Sequence, residues 1–257
     1  MTGREASFAP AASAEWLKLR TLRSTWWTLA AAVVLTTGVA LLYGATVGRN
    51  AADFRDPEFD PVLFGFAGVS ISQLTVVFLG VAVAGGEHAT GQIRASLTAV
   101  PDRTVFWFAK LSVLTAVLAA VALPTAFAAF FTAQGAMGGE LNVAIGDPGA
   151  FRAVLGLAVH LTLLGVLSAG VAGVLRRPVV ALSVLVPLFF IVGELLASLP
   201  GIGTVARYLP HIAGTRLMAT VPNERIPYGP GAGLLILLAW TAVAVAGGLA
   251  VLRRRDA

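Results

Sequence analysis

Metal chemistry would require either the histidine pair of an intramembrane zinc protease or a site formed by all three histidines. The sequence has the spacing for neither. An intramembrane zinc protease carries two histidines on one helix face, with a glutamate between them as the base. Here Glu87 directly precedes His88, and the remaining histidines, His160 and His211, lie in different segments. The sequence therefore predicts no metal site.

Lysine and serine are the residues that could serve phosphate binding and acyl transfer. ATP binding requires a glycine-rich loop that ends in Lys followed by Ser or Thr, which together hold the phosphates. The chain has two lysines, Lys18 in "EWLKLR" and Lys110 in "WFAKLS", and neither follows such a loop. Ser168, in "LLGVLSAG", lacks the G-x-S-x-G pattern of a serine nucleophile. We expect no catalytic residue and no cofactor, and we assign any ATP hydrolysis to another polypeptide.

The elements that carry these residues have the composition of a membrane protein. Of the 257 residues, 57% are hydrophobic and only 12% are charged, about half the charged share of a soluble domain. A helix needs about 20 apolar residues to cross a bilayer. The sequence thus predicts an all-α integral membrane protein, with a single transmembrane domain over residues 1–257 and six spans. The spans are expected at about 26–47, 62–84, 105–133, 151–175, 178–199 and 231–252.

The distribution of basic residues predicts the orientation in the membrane. Six spans put both termini on one side, and that side carries twelve of the basic residues against six on the other. Because Lys and Arg accumulate on the cytoplasmic side, we expect cytoplasmic termini and a multi-pass protein of the bacterial plasma membrane. The net charge of +5 is explained by this topology and by anionic lipids, so nucleic acid is not an expected partner.

Two cytoplasmic segments have helical character. The segment over about 12–24, in "SAEWLKLRTLRSTWW", is interpreted as an interfacial helix or as a charged anchor for the first span. The segment 87–100 is interpreted as an amphipathic helix that Pro101 ends, with a bend expected at Gly91. It is either a solvated connector or a docking helix for a partner. Its apolar stripe comprises Ala89, Ile93, Leu97 and Val100, and its polar face comprises Glu87, Gly91, Arg94 and Thr98.

Three polar residues within the predicted spans are candidates for a polar pathway. Gln73 and His160 lie near the middle of spans two and four, and Glu194 lies toward the outer end of span five. Such residues either line a proton or substrate path, or form a hydrogen bond between helices and, for Glu194, reach water at the interface. Residues 200–230 mix apolar residues with helix breakers, so this segment could enter the membrane from the outside without crossing it.

One motif resembles that of ABC-2 type transporter permeases. It reads E-x3-G-x5-L-x3-P-x-R-x6-K after the second span, although Gln92 stands where Thr is common. The opening "EWLKLRTLRSTWW" is similar to the start of actinobacterial members, and the six-span plan covers the whole chain. The motif comprises Glu87, Gly91, Leu97, Pro101, Arg103 and Lys110.

The resemblance implies a permease subunit of a type V-like exporter that moves a hydrophobic or amphiphilic substrate outward. It implies a second permease copy or paralogue and a separate ATP-binding subunit, into whose cleft the helix 87–100 would insert. It also implies a connecting helix at 12–24 and short re-entrant helices within 200–230. Two alternatives are an ATP-independent secondary transporter with proton coupling through Glu194 or His160, and a non-transporting membrane scaffold. Coupling is assigned to Glu87, Gly91, Arg94, Leu97, Pro101 and Arg103.

Overall fold

A computed structural model describes residues 8–54, 56–199, 203–222 and 226–254, with the side chains of residues 140, 194, 197 and 198 left out. The described residues form helices joined by short connections, with no strand among them. Five of the helices are long and apolar enough to cross a membrane. The prediction of an all-α, multi-pass membrane protein is therefore confirmed. These five helices are α2 (Arg23–Arg49), α4 (Val69–Thr90), α6 (Arg103–Met137), α7 (Ala150–Leu175) and α12 (Pro230–Arg254).

The shorter helices lie between or before the long ones. The N-terminal helix α1 runs from Phe8 to Thr21, four residues earlier at its start than the interfacial helix expected at 12–24. The expected second span, 62–84, is divided into α3 (Pro61–Gly65) and α4 by an interruption at residues 66–68, between the C-cap Phe66 and the N-cap Gly68. Asp60 caps the start of α3 and accepts hydrogen bonds from the amides of Val62 and Leu63. The short helix α5 (Ile93–Ala99) joins α4 to α6.

The expected fifth span, 178–199, is helical but interrupted. It consists of α8 (Pro178–Pro187), a π-helical turn (Leu188–Val192) and α9 (Gly193–Ser198). Pro187 has no backbone N–H to donate, and its ring disturbs the preceding turn, so the regular hydrogen-bond pattern changes there. The number of six spans remains a prediction.

Helix α7 occupies the centre of the bundle. It packs against α4, α6 and α12, and 78% of the residues in an 18-residue apolar stretch of this helix are buried. Small residues allow the close approach: a Cβ on Gly80 of α4 would lie only 2.2 Å from the carbonyl oxygen of Gly165 on α7. At this contact α4 and α7 therefore meet backbone to backbone, as is common in helical membrane proteins.

Contacts between the helix ends define two ends of the bundle. At the α5 end, α1 lies beside α5, and the end of α12 lies beside the start of α6, where Arg103 Nη1 donates to the carbonyl of Leu252 at 2.6 Å. At the opposite end, α7 begins beside the segment after α11 (Pro210–Thr215), where Arg152 donates to the carbonyls of Leu217 and Ala219.

The segment expected to be re-entrant, 200–230, lies at this opposite end. Its described part contains α11 and the shorter α10 (Gly203–Ala206), and residues 200–202 and 223–225 lie outside the described residues. Met218 and Ala213 within it are fully buried. The segment is therefore packed against protein rather than extended into solvent.

Candidate functional site

An ionic cluster of four residues, Glu15, Lys18, Glu87 and Lys110, lies at the α5 end. Lys18 Nζ is 2.7 Å from Glu15 Oε1 and 2.5 Å from Glu87 Oε1. Lys110 Nζ is 2.7 Å from Glu15 Oε2 and 3.1 Å from the same Glu87 oxygen. Each lysine therefore contacts both carboxylates, and both lysines of the chain take part.

Three helices bring the ionic cluster together. Glu15 and Lys18 are three residues apart and share one face of α1, Glu87 lies in the last turn of α4, and Lys110 lies two turns into α6. The side chains of Lys110, Glu15 and Glu87 are no more than 8% exposed, whereas that of Lys18 is 34% exposed. Two cations balance two anions, which is the condition under which charges are tolerated in a buried place.

The ionic cluster also reaches α5. Lys18 Nζ donates to Ser96 Oγ at 3.2 Å, so one ammonium group joins α1, α4 and α5. Burial acts to lower the pKa of Lys18, but its hydrogen bonds to Glu15 and Glu87 and their negative charges outweigh burial and raise it. Lys18 therefore stays protonated, and the connection between the three helices is maintained at physiological pH.

A cavity of about 370 Å³ adjoins the ionic cluster. Its walls combine the charged residues of the cluster with apolar side chains of α1 and α4, among them Leu19, Leu22, Leu79 and Val83. Glu87 Oε2 is buried without a hydrogen-bond partner. The cavity leaves space beside α1, so this helix is not packed tightly against α4 along its whole length.

The coupling helix expected at 87–100 is two helices. Gly91 has φ of +73°, a left-handed conformation that glycine adopts without strain, and α4 ends there. Ile93 is buried and Leu97 half-buried in α5, while Arg94 is exposed, as the amphipathic pattern predicts. The predicted sides of Ala89 and Glu87 were wrong: Ala89 is exposed and Glu87 is buried, because the helix does not continue through Gly91.

The last two residues assigned to coupling follow α5. Pro101 is exposed, and Arg103 faces α12, where Nη1 donates to the carbonyls of Leu252 and Arg253. Between them Asp102 caps α6: backbone amides of Val105 and Thr104 donate to its carboxylate and lower its pKa. Arg103 thus holds two helices together and lies away from the exposed face of α5.

Of the three residues assigned to a polar pathway, Gln73 and His160 contact each other, and the side chain of Glu194 is not described. Gln73 Nε2 lies 2.7 Å from His160 Nε2, and His160 is fully buried between α4 and α7. The side chain of Glu194 lies outside the described residues. Gln73 and His160 therefore form the interhelical hydrogen bond that was one of the two predicted arrangements, and their role in a pathway remains a prediction.

Sequence reasoning missed Glu15 and Lys18 as site residues. The available signal was the scarcity of lysine: the two lysines are rare charges in an apolar chain, and a buried lysine needs an acidic partner. Among the residues that the structure describes, no group of three or more His, Asp or Glu could hold a metal ion.

The fold defines a class, that of multi-pass helical membrane proteins. No protein-family model matches the chain, and no curated protein matches it.

Proposed function

We propose that the chain is the permease subunit of an ABC exporter, which moves a hydrophobic or amphiphilic substrate outward while a separate subunit hydrolyses ATP. The observation that carries the proposal is the connection of α5 through the ionic cluster to α1, α4 and α6. If a partner displaces α5, such a connection transmits the displacement to the membrane helices.

Helix α5 has the features of a docking element. It is a separate short helix between two long apolar helices, bounded by Gly91 and Pro101. Its inner face is anchored by Ile93, and Arg94 and Thr98 face outward. An exposed, charged face on a helix with a fixed inner face suits the cleft of a partner protein, and a partner that hydrolyses ATP agrees with the motif around α5.

The ionic cluster supplies the route by which a displacement of α5 would be transmitted. Ser96 on α5 contacts Lys18 on α1, and Lys18 contacts Glu87 on α4. Glu87 contacts Lys110 on α6. The contacts among Lys18, Glu87 and Lys110 are ionic, so separating α1, α4 and α6 would leave charges unpaired, which is costly. Helix α5 is joined to them by the neutral hydroxyl of Ser96.

The path of the chain supports a sixth crossing. Helix α7 ends at the α5 end, where Arg176 Nη2 donates to the carbonyl of Val251, whereas α12 begins at the opposite end beside Ala213. The intervening chain therefore has to pass between the ends, and the helical run 178–198 provides the length. With six crossings, the count of basic residues favours a cytoplasmic α5 end in the bacterial plasma membrane, accessible to a cytoplasmic ATPase. Export also requires a second permease copy or paralogue.

Co-purification with the ATP-binding subunit tests the proposal. An ATP-binding subunit should co-purify with the wild-type chain from its native membrane, and Arg94→Glu should abolish association while the protein still inserts. Arg177→Glu is the matched control, since it reverses an exposed charge in the α7–α8 turn at the same end. Leu97→Pro should act like Arg94→Glu, because proline disrupts α5.

The outcome distinguishes docking from the alternatives. Retained association in both α5 variants would contradict docking through α5. Transport by vesicles that lack ATP would instead favour the proton-coupled transporter, and no transport with or without the ATPase would favour the scaffold.

A further inference from the structure

The residue Arg216 carries a buried charge at the end of the bundle opposite α5. It follows α11, only 7% of its surface is exposed, and its buried Nε has no hydrogen-bond partner among the described residues. No ion pair joins it to an acid of the described residues. Burial lowers the pKa of this guanidinium. Arginine is rarely buried without a partner because removing its charge from water is unfavourable.

The described acid that acts on Arg216, Asp60, is already occupied. Its Oδ2 accepts hydrogen bonds from the amides of Thr220 and Val221 at 2.5 and 2.9 Å, and its Oδ1 accepts from the Thr220 hydroxyl at 2.7 Å. The same Oδ1 accepts the two amides that begin α3. Asp60 therefore holds two segments together and has little capacity left for Arg216.

A second guanidinium increases the positive charge. Arg152 lies close enough for its charge to act on Arg216. Its Nη1 and Nη2 donate to the carbonyls of Leu217 and Ala219 at 2.9 and 2.7 Å, which fixes the turn that follows Arg216. Among the described residues, two cations thus stand against one carboxylate, and their local excess is one positive charge.

These groups surround a cavity of about 270 Å³. Arg152 and Arg216 line it together with Thr220 and Tyr228, whose hydroxyl donates to the carbonyl of Arg207. A water molecule occupies about 30 Å³ in the liquid, so the cavity has room for a small oxyanion with several waters. It lies where α7 and α12 begin, which in a membrane is the level of the lipid headgroups.

We propose that this cavity binds a phosphate group, which pairs with Arg216 and compensates its charge. A guanidinium presents its N–H groups in a plane that matches two oxygens of a phosphate, and such charge-assisted pairs are among the stronger hydrogen bonds in proteins. The phosphate belongs either to a phospholipid headgroup or to a dissolved ion. The site is distinct from the ionic cluster at the α5 end, and its occupancy does not depend on the export function.

Binding to the purified full-length chain in a phosphate-free maltoside detergent tests the proposal. The probes are inorganic phosphate and short-chain phosphatidylglycerol below its micellar concentration, each titrated by calorimetry. At least one should bind saturably to the wild-type protein. Saturation by the lipid alone identifies a headgroup site, and saturation by inorganic phosphate identifies a site for a dissolved ion.

Three variants make the test specific. Arg216→Gln should weaken binding about tenfold or more, as expected when a charged hydrogen-bond donor is lost. Arg49→Gln, an equal charge change at an exposed position of the same end, should bind like the wild-type protein. Arg216→Lys keeps the charge without the planar fork and should weaken binding less than Arg216→Gln.

Two results would overturn the proposal. One is the absence of saturable binding of both probes to the wild-type protein, and the other is unchanged affinity in Arg216→Gln. If Arg216→Gln does not fold, Arg216→Lys decides, and wild-type affinity in that variant would then count against Arg216 as the phosphate ligand.

Discussion

Lys110 of α6 and Glu15 of α1 form a buried ion pair, with Nζ 2.7 Å from Oε2, although 95 positions separate them in the sequence. Glu87 of α4 shares the Lys110 ammonium at 3.1 Å, and the same ammonium lies 5.0 Å from the centre of the Phe106 ring. The buried side chain of Lys110 therefore connects the N-terminal helix to two apolar helices.

Removing Lys110 should destabilise the protein more than removing Lys18. Lys110→Met leaves two buried carboxylates with one lysine, and breaking a buried pair costs about 3–5 kcal/mol of unfolding free energy. Lys18 is 34% exposed, and water can compensate its loss in part, so Lys18→Met should cost about 1 kcal/mol. Equilibrium unfolding in detergent measures both values. Equal losses would show that the two lysines are not held in different environments.

Alkaline pH should weaken the attachment of α1. The pKa of Lys18 is raised in the folded protein, so its contribution is complete below the ordinary lysine value of about 10.4 and is lost as pH rises through the folded pKa. Thermal denaturation of the wild-type protein and Lys18→Met should therefore differ near pH 9 and converge at higher pH. The other titrating groups are common to both proteins. A difference that stays constant from pH 9 to pH 12 would contradict the raised pKa.

Substitution of Gly91 should disturb the junction of α4 and α5. At φ of +73° a side chain costs about 1–2 kcal/mol, so Gly91→Ala should lower stability by about that amount. Gly86→Ala is the matched control, because Gly86 lies within α4 and an added Cβ would meet nothing within 4 Å. Alanine favours a helix over glycine, and this control should be neutral or stabilising by up to about 1 kcal/mol. Chemical denaturation of both variants makes the comparison.

Close packing of α4 on α7 should not tolerate a methyl group. Gly80→Ala would place Cβ 2.2 Å from the Gly165 carbonyl oxygen, so the helices must separate, at a cost of about 1–3 kcal/mol. Gly38→Ala, in α2, adds the same methyl group into open space and should be neutral or stabilising by up to about 1 kcal/mol. Thermal unfolding of the two variants in detergent tests the contact, and equal transitions would contradict it.

The apolar helices were predictable from sequence because length and composition decide whether a segment crosses a membrane. Helices α7 and α12 were predicted within one or two residues at each end, since Gly149 and Arg176 bound the first and Pro230 begins the second. Helix α4 was not, because the interruption at residues 66–68 divides an apolar stretch that hydropathy treats as continuous.

The candidate site was predicted only in part. The face of α5 that holds Ile93 followed from periodicity, which is a local property. The burial of Glu87 did not, because a helical wheel carried through Gly91 placed it on the polar face. Its pairing with Lys18, 69 positions away, depends on how α1 lies against α4, and no local pattern contains that information.

Helix α12 receives its terminal hydrogen bonds from helices that precede it in the chain. Arg103 of α6 and Arg176, directly after α7, donate to the carbonyls of Leu252 and Val251. Synthesis proceeds from the N-terminus, so both guanidinium groups leave the ribosome before these carbonyls exist. When the final turn of α12 forms, both donors have therefore already been synthesised. The order of synthesis matches the order in which these hydrogen bonds can form.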